Sequence, residues 1–274
     1  MRLLRPGLTP SMRFCIPDDE NGLENLISFI YARESLQNLS AVDLQQKAIV
    51  CPKNDDADTI NSLIVDMVDG PVRTYCSYDT ATPHGNDGGE AELLYFTEYL
   101  NTLNYPGLPP HELHLKKGVP AILLRHINIV GGLCNGTRMI ITQMLAKSVE
   151  VEIITGTRVG EKVFFPRMSL IYKEPILPFI LKRQQLPLKI SYPMTINKIQ
   201  GQSLNQIRVY LPKPLFGHGQ LYVALSRATS PGGLKLLIKK HEDHGPNVTK
   251  NILYTEFLSA ITDFEAAPPA RSAC

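Results

Sequence analysis

No apolar run in this 274-residue chain reaches the length of a membrane span. Met1-Arg-Leu-Leu-Arg-Pro6 starts basic but has no apolar core before the proline, so neither secretion nor membrane insertion is expected. No Cys-x-x-Cys pair occurs. The five cysteines, at 15, 51, 76, 134 and 274, are scattered, which excludes the usual zinc and disulfide frameworks and argues for reduced thiols in the cytosol or nucleus. Asn38-Leu-Ser, Asn135-Gly-Thr and Asn247-Val-Thr match the glycosylation acceptor, a loose motif that means little without a secretory signal. Charge of one sign is scarce too. The balance of 28 Lys and Arg against 26 Asp and Glu leaves +2, so nucleic-acid binding would have to rest on local patches. There is no internal repeat. What is present suits a soluble globular protein of one large or two modest domains: 43% hydrophobic and 20% charged residues.

The first 45 residues are mixed. Glu20 to Tyr31 has apolar residues at helical spacing, but the surrounding Pro and Asp predict a loose lead-in. Lys47 to Asn54 is a short apolar run ending in a turn and reads as a buried strand. Asp55 to Val68 opens with an acidic turn and carries Ile60, Leu63, Ile64 and Met67 at helical spacing, which predicts a helix. A strand feeding a helix is the unit of a parallel α/β sheet. Ala81 to Glu90 is polar and Gly-rich and is expected to be mobile; Glu92 to Leu103 can be helical. After His111 the texture changes. Gly118–Arg125, Thr137–Thr142, Val149–Ile154 and Lys162–Leu170 are short strands punctuated by Gly turns, as in a small β-barrel. The α/β pattern resumes at Leu186, with strands at 206–211 and 234–239 and helices at 218–229 and 248–261. The last residues, from Ala266, read as disordered.

Two runs could carry chemistry. Thr195-Ile-Asn-Lys-Ile-Gln-Gly-Gln-Ser203 follows an alternating strand and would present hydroxyl, amide and ammonium groups at the sheet's carboxyl edge, where open α/β sheets bind ligands. Gly201 would let a phosphate approach the backbone, and Thr195 and Lys198 suit phosphodiester oxygens. The same spacing also fits an ordinary polar strand-to-helix turn. Gln220-Leu-Tyr-Val-Ala-Leu-Ser-Arg227 reads as an apolar helix ending in an arginine. Arg227 could answer its own helix dipole or neutralise a γ-phosphate during transfer. His111-Glu-Leu-His114 and His241-Glu-Asp-His244 place histidines three apart with no third ligand in view, so solvated turns are expected and no metal.

Taken together, the two runs resemble the last two helicase motifs of the PIF-type (petite integration frequency) DNA helicases, superfamily-1 motors related to RecD, in the plant and Helitron-like branch. The resemblance extends to Met1-Arg-Leu-Leu, Ile49–Asn61, Ser77-Tyr-Asp79, Gly107–Leu113, Leu123-Leu-Arg125, Gly132–Arg138 and Phe165-Pro-Arg167, covering residues 1 to 258. It implies a RecA-like parallel-sheet motor domain with an inserted SH3-like β-barrel. Residues 1–46 would lead into the second motor domain, 47–115 and 186–262 would form it, 116–185 would be the barrel, and 263–274 a disordered tail. Gln200 and Gly201 would meet nucleotide phosphates and Arg227 would be the arginine finger, with Gln220 and Tyr222 in its helix. Thr195, Asn197 and Lys198, with Pro52 and Asn54, would contact single-stranded DNA. The sequence departs from the family pattern at Ile199 (usually Ser), Pro193 (usually Ala) and His126 (usually Asn).

The family's Gly-x-x-x-x-Gly-Lys-[Ser/Thr] loop is missing, as is a strand ending in an Asp-Glu pair that could hold Mg²⁺. The complete family enzyme uses ATP and Mg²⁺; none is expected to bind stably to this chain alone. The resemblance therefore implies the C-terminal half of an ATP-dependent 5′–3′ helicase, inactive without an N-terminal half supplied by a missing exon or in trans. A non-enzymatic single-strand-binding module, using Lys53, Lys116, Lys117, Arg125, Arg138, Arg167, Lys182, Arg183 and Lys198, is the alternative, with a transposon remnant or partial gene model beside it. Family analogy places the protein in the nucleus or mitochondrion.

Overall fold

The computed structural model describes residues 14–32, 36, 41–83, 95–175, 177–240, 249 and 252. Along the chain run α1 (Gly22–Ile30), α2 (Ala41–Gln46), β1 (Lys47–Cys51), α3 (Asn54–Met67), β2 (Arg73–Cys76), β3 (Tyr78–Pro83), α4 (Thr97–Thr102), β4 (Glu112–Leu115), β5 (Pro120–Leu123), β6 (Arg138–Met144), β7 (Ser148–Ile153), β8 (Lys162–Pro166), β9 (Met168–Tyr172), β10 (Phe179–Gln185), β11 (Leu188–Ile190), β12 (Pro193–Thr195), a 3-10 turn (Ile196–Ile199), β13 (Gln206–Leu211), α5 (Gln220–Leu225), a second 3-10 turn (Pro231–Gly233) and β14 (Leu234–Ile238). The expected helix at 248–261, apart from Thr249 and Ile252, the tail, His241–His244 and the Met1 segment lie outside the described residues.

A four-stranded parallel sheet, ordered β12-β1-β13-β14, forms the α/β part. Covered on both faces, its strands are mainly apolar, as buried parallel strands usually are, with Arg208 of β13 fully buried among them. Alternation along β1 sends Ile49 and Cys51 into one core with Leu26, Ile27, Ile60 and Ile64, and Ala48 and Val50 into the other with Val209, Leu221 and Ala224. The segment expected to be a loose lead-in is instead the packed helix α1, with Leu26, Ile27 and Ile30 buried. Its apolar spacing prevails over the flanking Pro and Asp because the sheet face needs cover.

The predicted strand and helix at 47–68 both form. Lys53 takes the N-cap position of α3 in extended conformation, without a side-chain cap bond, and its backbone N–H faces the carboxylate of Asp56, the third residue of the helix, an arrangement like half of a capping box. The buried face differs from the expected one: Leu63 is 42% exposed, while Ala57, Ile60, Asn61, Ile64 and Val65 point inward. Asn61 spans the crossover between the two parts of the fold. Its Nδ2 donates to the Ile190 carbonyl (3.0 Å) and its Oδ1 accepts the Tyr192 N–H (3.0 Å).

The antiparallel part contains sheets ordered β11-β5-β6-β7-β8, β3-β10-β9 and β2-β4. Its strands are not confined to residues 116–185. Ala81–Pro83, expected to be mobile, belongs to β3 and pairs with Phe179–Leu181. The run at 162–170 is two strands in different sheets, broken at Arg167. Strand β11 pairs with β5, so the parallel sheet resumes at Pro193, not Leu186. Alternation of Leu186, Leu188 and Ile190 marks a half-buried strand but cannot say which sheet it joins.

At the centre of this part lies a fully buried Arg183–Asp79 pair. The guanidinium Nε and NH2 donate to both carboxylate oxygens at 2.6–3.1 Å, and further donors reach the Pro109 and Leu100 carbonyls at 3.0 and 3.1 Å. Asp79 also accepts from Ser77 Oγ at 2.8 Å, which leaves His111 Nδ1, 2.8 Å from Ser77 Oγ, as the donor to that hydroxyl. His111 is therefore wired into the buried network rather than sitting in a solvated turn. His114 does lie in an exposed position, against Thr74 (2.9 Å) and Glu112 (3.5 Å). Across the β2–β4 pair, Cys76, His111 and Glu112 bring one ligand atom each within 4.8 Å, a proximity the sequence does not reveal.

Candidate functional site

Strands β1 and β12 run parallel and in register, Cys51 opposite Thr195, so their following turns emerge together at the carboxyl edge of the sheet. The Cys51 thiol leans across the junction toward the carbonyls of Lys53 (3.5 Å) and Met194 (3.8 Å). Burial, with Asp56 and Asp58 adding to it, pushes this thiol up to about 12. Pro52 is buried and Asn54 exposed at the first position of α3; beside them Thr195 is half-buried, and Asn197 and Lys198 are exposed. The four residues Pro52, Asn54, Thr195 and Asn197 thus come from turns 140 residues apart in sequence to one edge. Lys198 has its ammonium pulled below the ordinary lysine value by partial desolvation and by Lys189, with Asp58 opposing. Lys189 is itself paired with Asp58 at 2.8 Å. Acidic Asp55 and Asp56 occupy the first turn of α3, and Lys53, Lys198 and Lys213, which lies near Asp56, bring positive charge to this edge.

The rest of the Thr195–Ser203 run does not stay there. After the 3-10 turn the chain crosses the sheet face to begin β13, whose Gln206 pairs with Lys47 at the opposite edge. The Leu204 N–H donates to the Arg227 carbonyl (2.9 Å) and the Asn205 N–H to the Gln46 carbonyl (2.9 Å). The expectation that the whole motif lies at the carboxyl edge is therefore corrected. Thr195, Asn197 and Lys198 lie at or next to that edge, while Gln200 and Gly201 are carried toward Arg227 at the other. Gly201 adopts φ +82°, and a side chain there would meet nothing within 4 Å, so the strain is conformational and the space above it is open.

Arg227 lies just past α5, a helix of six residues rather than the twelve expected from 218 to 229. Its guanidinium donates to three neighbours on its own chain: the carbonyls of Val223 (3.2 Å) and Gln202 (3.3 Å) and the Ser226 hydroxyl (2.9 Å). Two of these close the end of its own helix, and the third ties the helix to the Gln200–Ser203 turn. Tyr222 is exposed at 51%. Gln220 is buried, and its Oε1 accepts the Gly217 N–H at 3.1 Å.

Residues 98–144 match the family model "DNA helicase Pif1, 2B domain". The chain corresponds to the 2B region and the C-terminal RecA-like part of a Pif1-family DNA helicase. The ATP-dependent DNA helicase Pif1 of Campylobacter jejuni is 30% identical over 233 residues, 81% of this chain and 49% of that protein. That of Xenopus laevis is 26% identical over 207 residues, 73% of this chain and 28% of the relative. The chain thus spans half or less of the length of these relatives. Solved Pif1 structures share the fold: a Bacteroides Pif1 bound to ssDNA superposes with TM-score 0.57 at 18% identity, covering 89% of this chain and 53% of that one. The Candida albicans Pif1 helicase does so with TM-score 0.56 at 21% identity, covering 87% and 58%. The parallel sheet is the RecA-like part and the antiparallel strands are consistent with the SH3-like 2B domain.

Three of the basic residues weighed as strand contacts are structural in this Pif1-like fold. Arg183 is fully buried against Asp79. Lys116 Nζ donates to the Val65 and Val68 carbonyls at 2.8 and 2.6 Å, closing the end of α3. Buried Arg138 donates to the Leu44 carbonyl at 2.6 Å across the junction of the two parts. Sequence cannot separate such cations from surface ones, because burial is decided by partners elsewhere in the chain. Phe216 was missed altogether. It is 55% exposed at the carboxyl edge, with Lys53 Nζ 5.6 Å from its ring centroid. An aromatic residue just before Gly217 in a loop between strand and helix was the available signal.

Proposed function

We propose that this chain is the second motor domain and barrel of an ATP-dependent 5′–3′ DNA helicase, carrying strand contacts and an arginine finger but no hydrolytic activity alone. The carrying observation is the path of residues 195–206, which links one sheet edge bearing Pro52, Asn54, Thr195, Asn197 and Lys198 to the other bearing Gln200, Gly201 and Arg227. In this reading the first set holds single-stranded DNA and the second faces the nucleotide. The open space at Gly201 and the donor-rich Arg227 fit a phosphate. The contacts of Arg227 described above are carbonyls and a hydroxyl, with no carboxylate to anchor Mg²⁺, so in this reading the metal and the phosphate-loop lysine come from an N-terminal half, in cis or in trans. Mg-ATP supplies the phosphoryl group whose transfer drives the motor. An arginine finger contributes about 10³ to 10⁵ in rate, and only on a phosphate already held. To serve, Arg227 would exchange its bonds to Val223 and Gln202 for phosphate oxygens. Its present bonds favour a second reading, a non-enzymatic single-strand-binding module. A plant or Helitron-like origin and a nuclear or mitochondrial site belong to the same proposal.

The purified chain should hydrolyse no ATP, bind a fluorescent single-stranded oligonucleotide weakly and more tightly at low salt, and regain hydrolysis when mixed with a family N-terminal half. Arg227→Ala should abolish that regained activity. ATP hydrolysis by the chain alone, lost in Arg227→Ala, would overturn the claim of inactivity. Absence of oligonucleotide binding even at low salt would overturn the strand contacts.

A further inference from the structure

We propose that Phe216 and Lys53 form a single-nucleotide subsite, the ring stacking on a base while the ammonium meets the adjoining phosphate; this rests on the strand-contact reading of the carboxyl edge. One exposed aromatic residue needs no explanation by itself. Here several observations converge. Phe216 follows buried Leu215, yet its own ring is 55% exposed. The loop that carries it is fixed: buried Gln220 holds the Gly217 N–H at 3.1 Å, and a Cβ at Gly217 would lie 2.9 Å from the Gln220 side chain. Lys53 Nζ stands 5.6 Å from the ring centroid, within cation–π range. Lys53 also holds the N-cap position of α3 between Pro52 and Asn54, in the turn that emerges beside Thr195.

The chemistry of that pair selects its ligand. A flat π-face beside a cation is what a nucleotide complements on both counts, through base and phosphate, and stacking tolerates any base. A purely apolar partner would cover the ring but offer Lys53 no anion beyond neighbouring Asp56. The ammonium lies over one face of Phe216 and the base takes the other. Buried Gln220 is a positioning residue, holding the loop from beneath.

The test is fluorescence anisotropy at low salt with two labelled strands of equal length, oligothymidylate and an abasic strand. The intact chain should prefer oligothymidylate. Phe216→Ala should weaken oligothymidylate binding about tenfold, the contribution of one stacked base, and leave the abasic strand unchanged. Phe216→Trp should restore the preference, and Lys53→Gln should weaken both strands alike. No base preference in the intact chain, or equal effects of Phe216→Ala on both strands, would overturn the subsite. So would binding indifferent to Phe216→Ala, which would leave the strand contacts standing. Failure of the intact chain to bind either strand would remove both readings together. Unchanged circular dichroism of each variant keeps the comparison one of binding.

Discussion

Replacing Asp79 should be among the most damaging single changes in the antiparallel part. Arg183 is fully buried, and the carboxylate takes its Nε and one NH2 donor. Removing Asp79 as alanine strands the positive charge away from water with only the Pro109 and Leu100 carbonyls. Breaking one side of a buried pair costs about 3–5 kcal/mol, so Asp79→Ala should lower Tm by about 6–20 °C at the roughly 2–4 °C per kcal/mol of domains this size. The loss includes the Ser77 and His111 links. Asp79→Asn keeps an oxygen acceptor but not the charge, and should fall between. The double variant Asp79→Leu/Arg183→Met removes both charges together and should recover most of the loss, since apolar replacement of buried pairs is often neutral. Thermal denaturation of the wild type, Asp79→Leu, Arg183→Met and the double variant closes the cycle. A drop below about 1 kcal/mol for Asp79→Ala, or a double variant as unstable as the single, would refute the view that an uncompensated charge sets the cost.

Two further outcomes follow from local electrostatics. With its thiol near 12, buried Cys51 should be about 10⁻⁴ thiolate at pH 8 and resist iodoacetamide, while exposed Cys76 should be alkylated first by peptide mapping; rapid labelling of Cys51 in the folded chain would contradict its burial. Asp18 is raised by burial, but the Lys239 ammonium at 2.7 Å and the Lys240 N–H outweigh that and hold it low, while Lys239 is raised. A lowered carboxylate stabilises above its unfolded pKa and loses that as pH falls through the folded value; a raised lysine stabilises below its unfolded pKa and loses that as pH rises through the folded one. The pair should therefore contribute across the range from about pH 4 to pH 10 and fade at both ends. Being partly exposed, it should give no more than about 1 kcal/mol. Asp18→Asn should flatten that part of the stability–pH curve, and an unchanged curve would dismiss the pair.

How legible the fold was in the sequence depended on how local its causes are. Strand β1 and helix α3 could be placed because apolar run, turn and acidic first turn lie side by side. The inward face of α3 could not, because Asn61 is buried by a demand made from Ile190 and Tyr192. Strand β11 alternates correctly, yet its partner β5 lies more than sixty residues earlier. The candidate site divides the same way. Thr195 and Arg227 stand out in sequence, but that their motif starts at one edge of the sheet and ends at the other follows only from the register of β12 and β13 against β1. Arg183 and Lys116 look like any surface cations until their partners are known.

The interleaving of the two parts decides where the molecule can be cut. A piece spanning 116–185 would carry β5 to β10 but leave behind β3, the strand that completes the sheet of β10, and β11, the strand that borders β5. Both would be left with unpaired backbone along one side, the kind of open edge through which separate chains join into aggregates. Extending the cut to begin at Arg73 and end at Ile190 keeps β2, β3, β4 and β11 with their partners, at the cost of parting Asn61 from Ile190 and Lys116 from the end of α3. Only the longer piece retains every antiparallel pairing among the described residues, and it is the one to transplant into another protein.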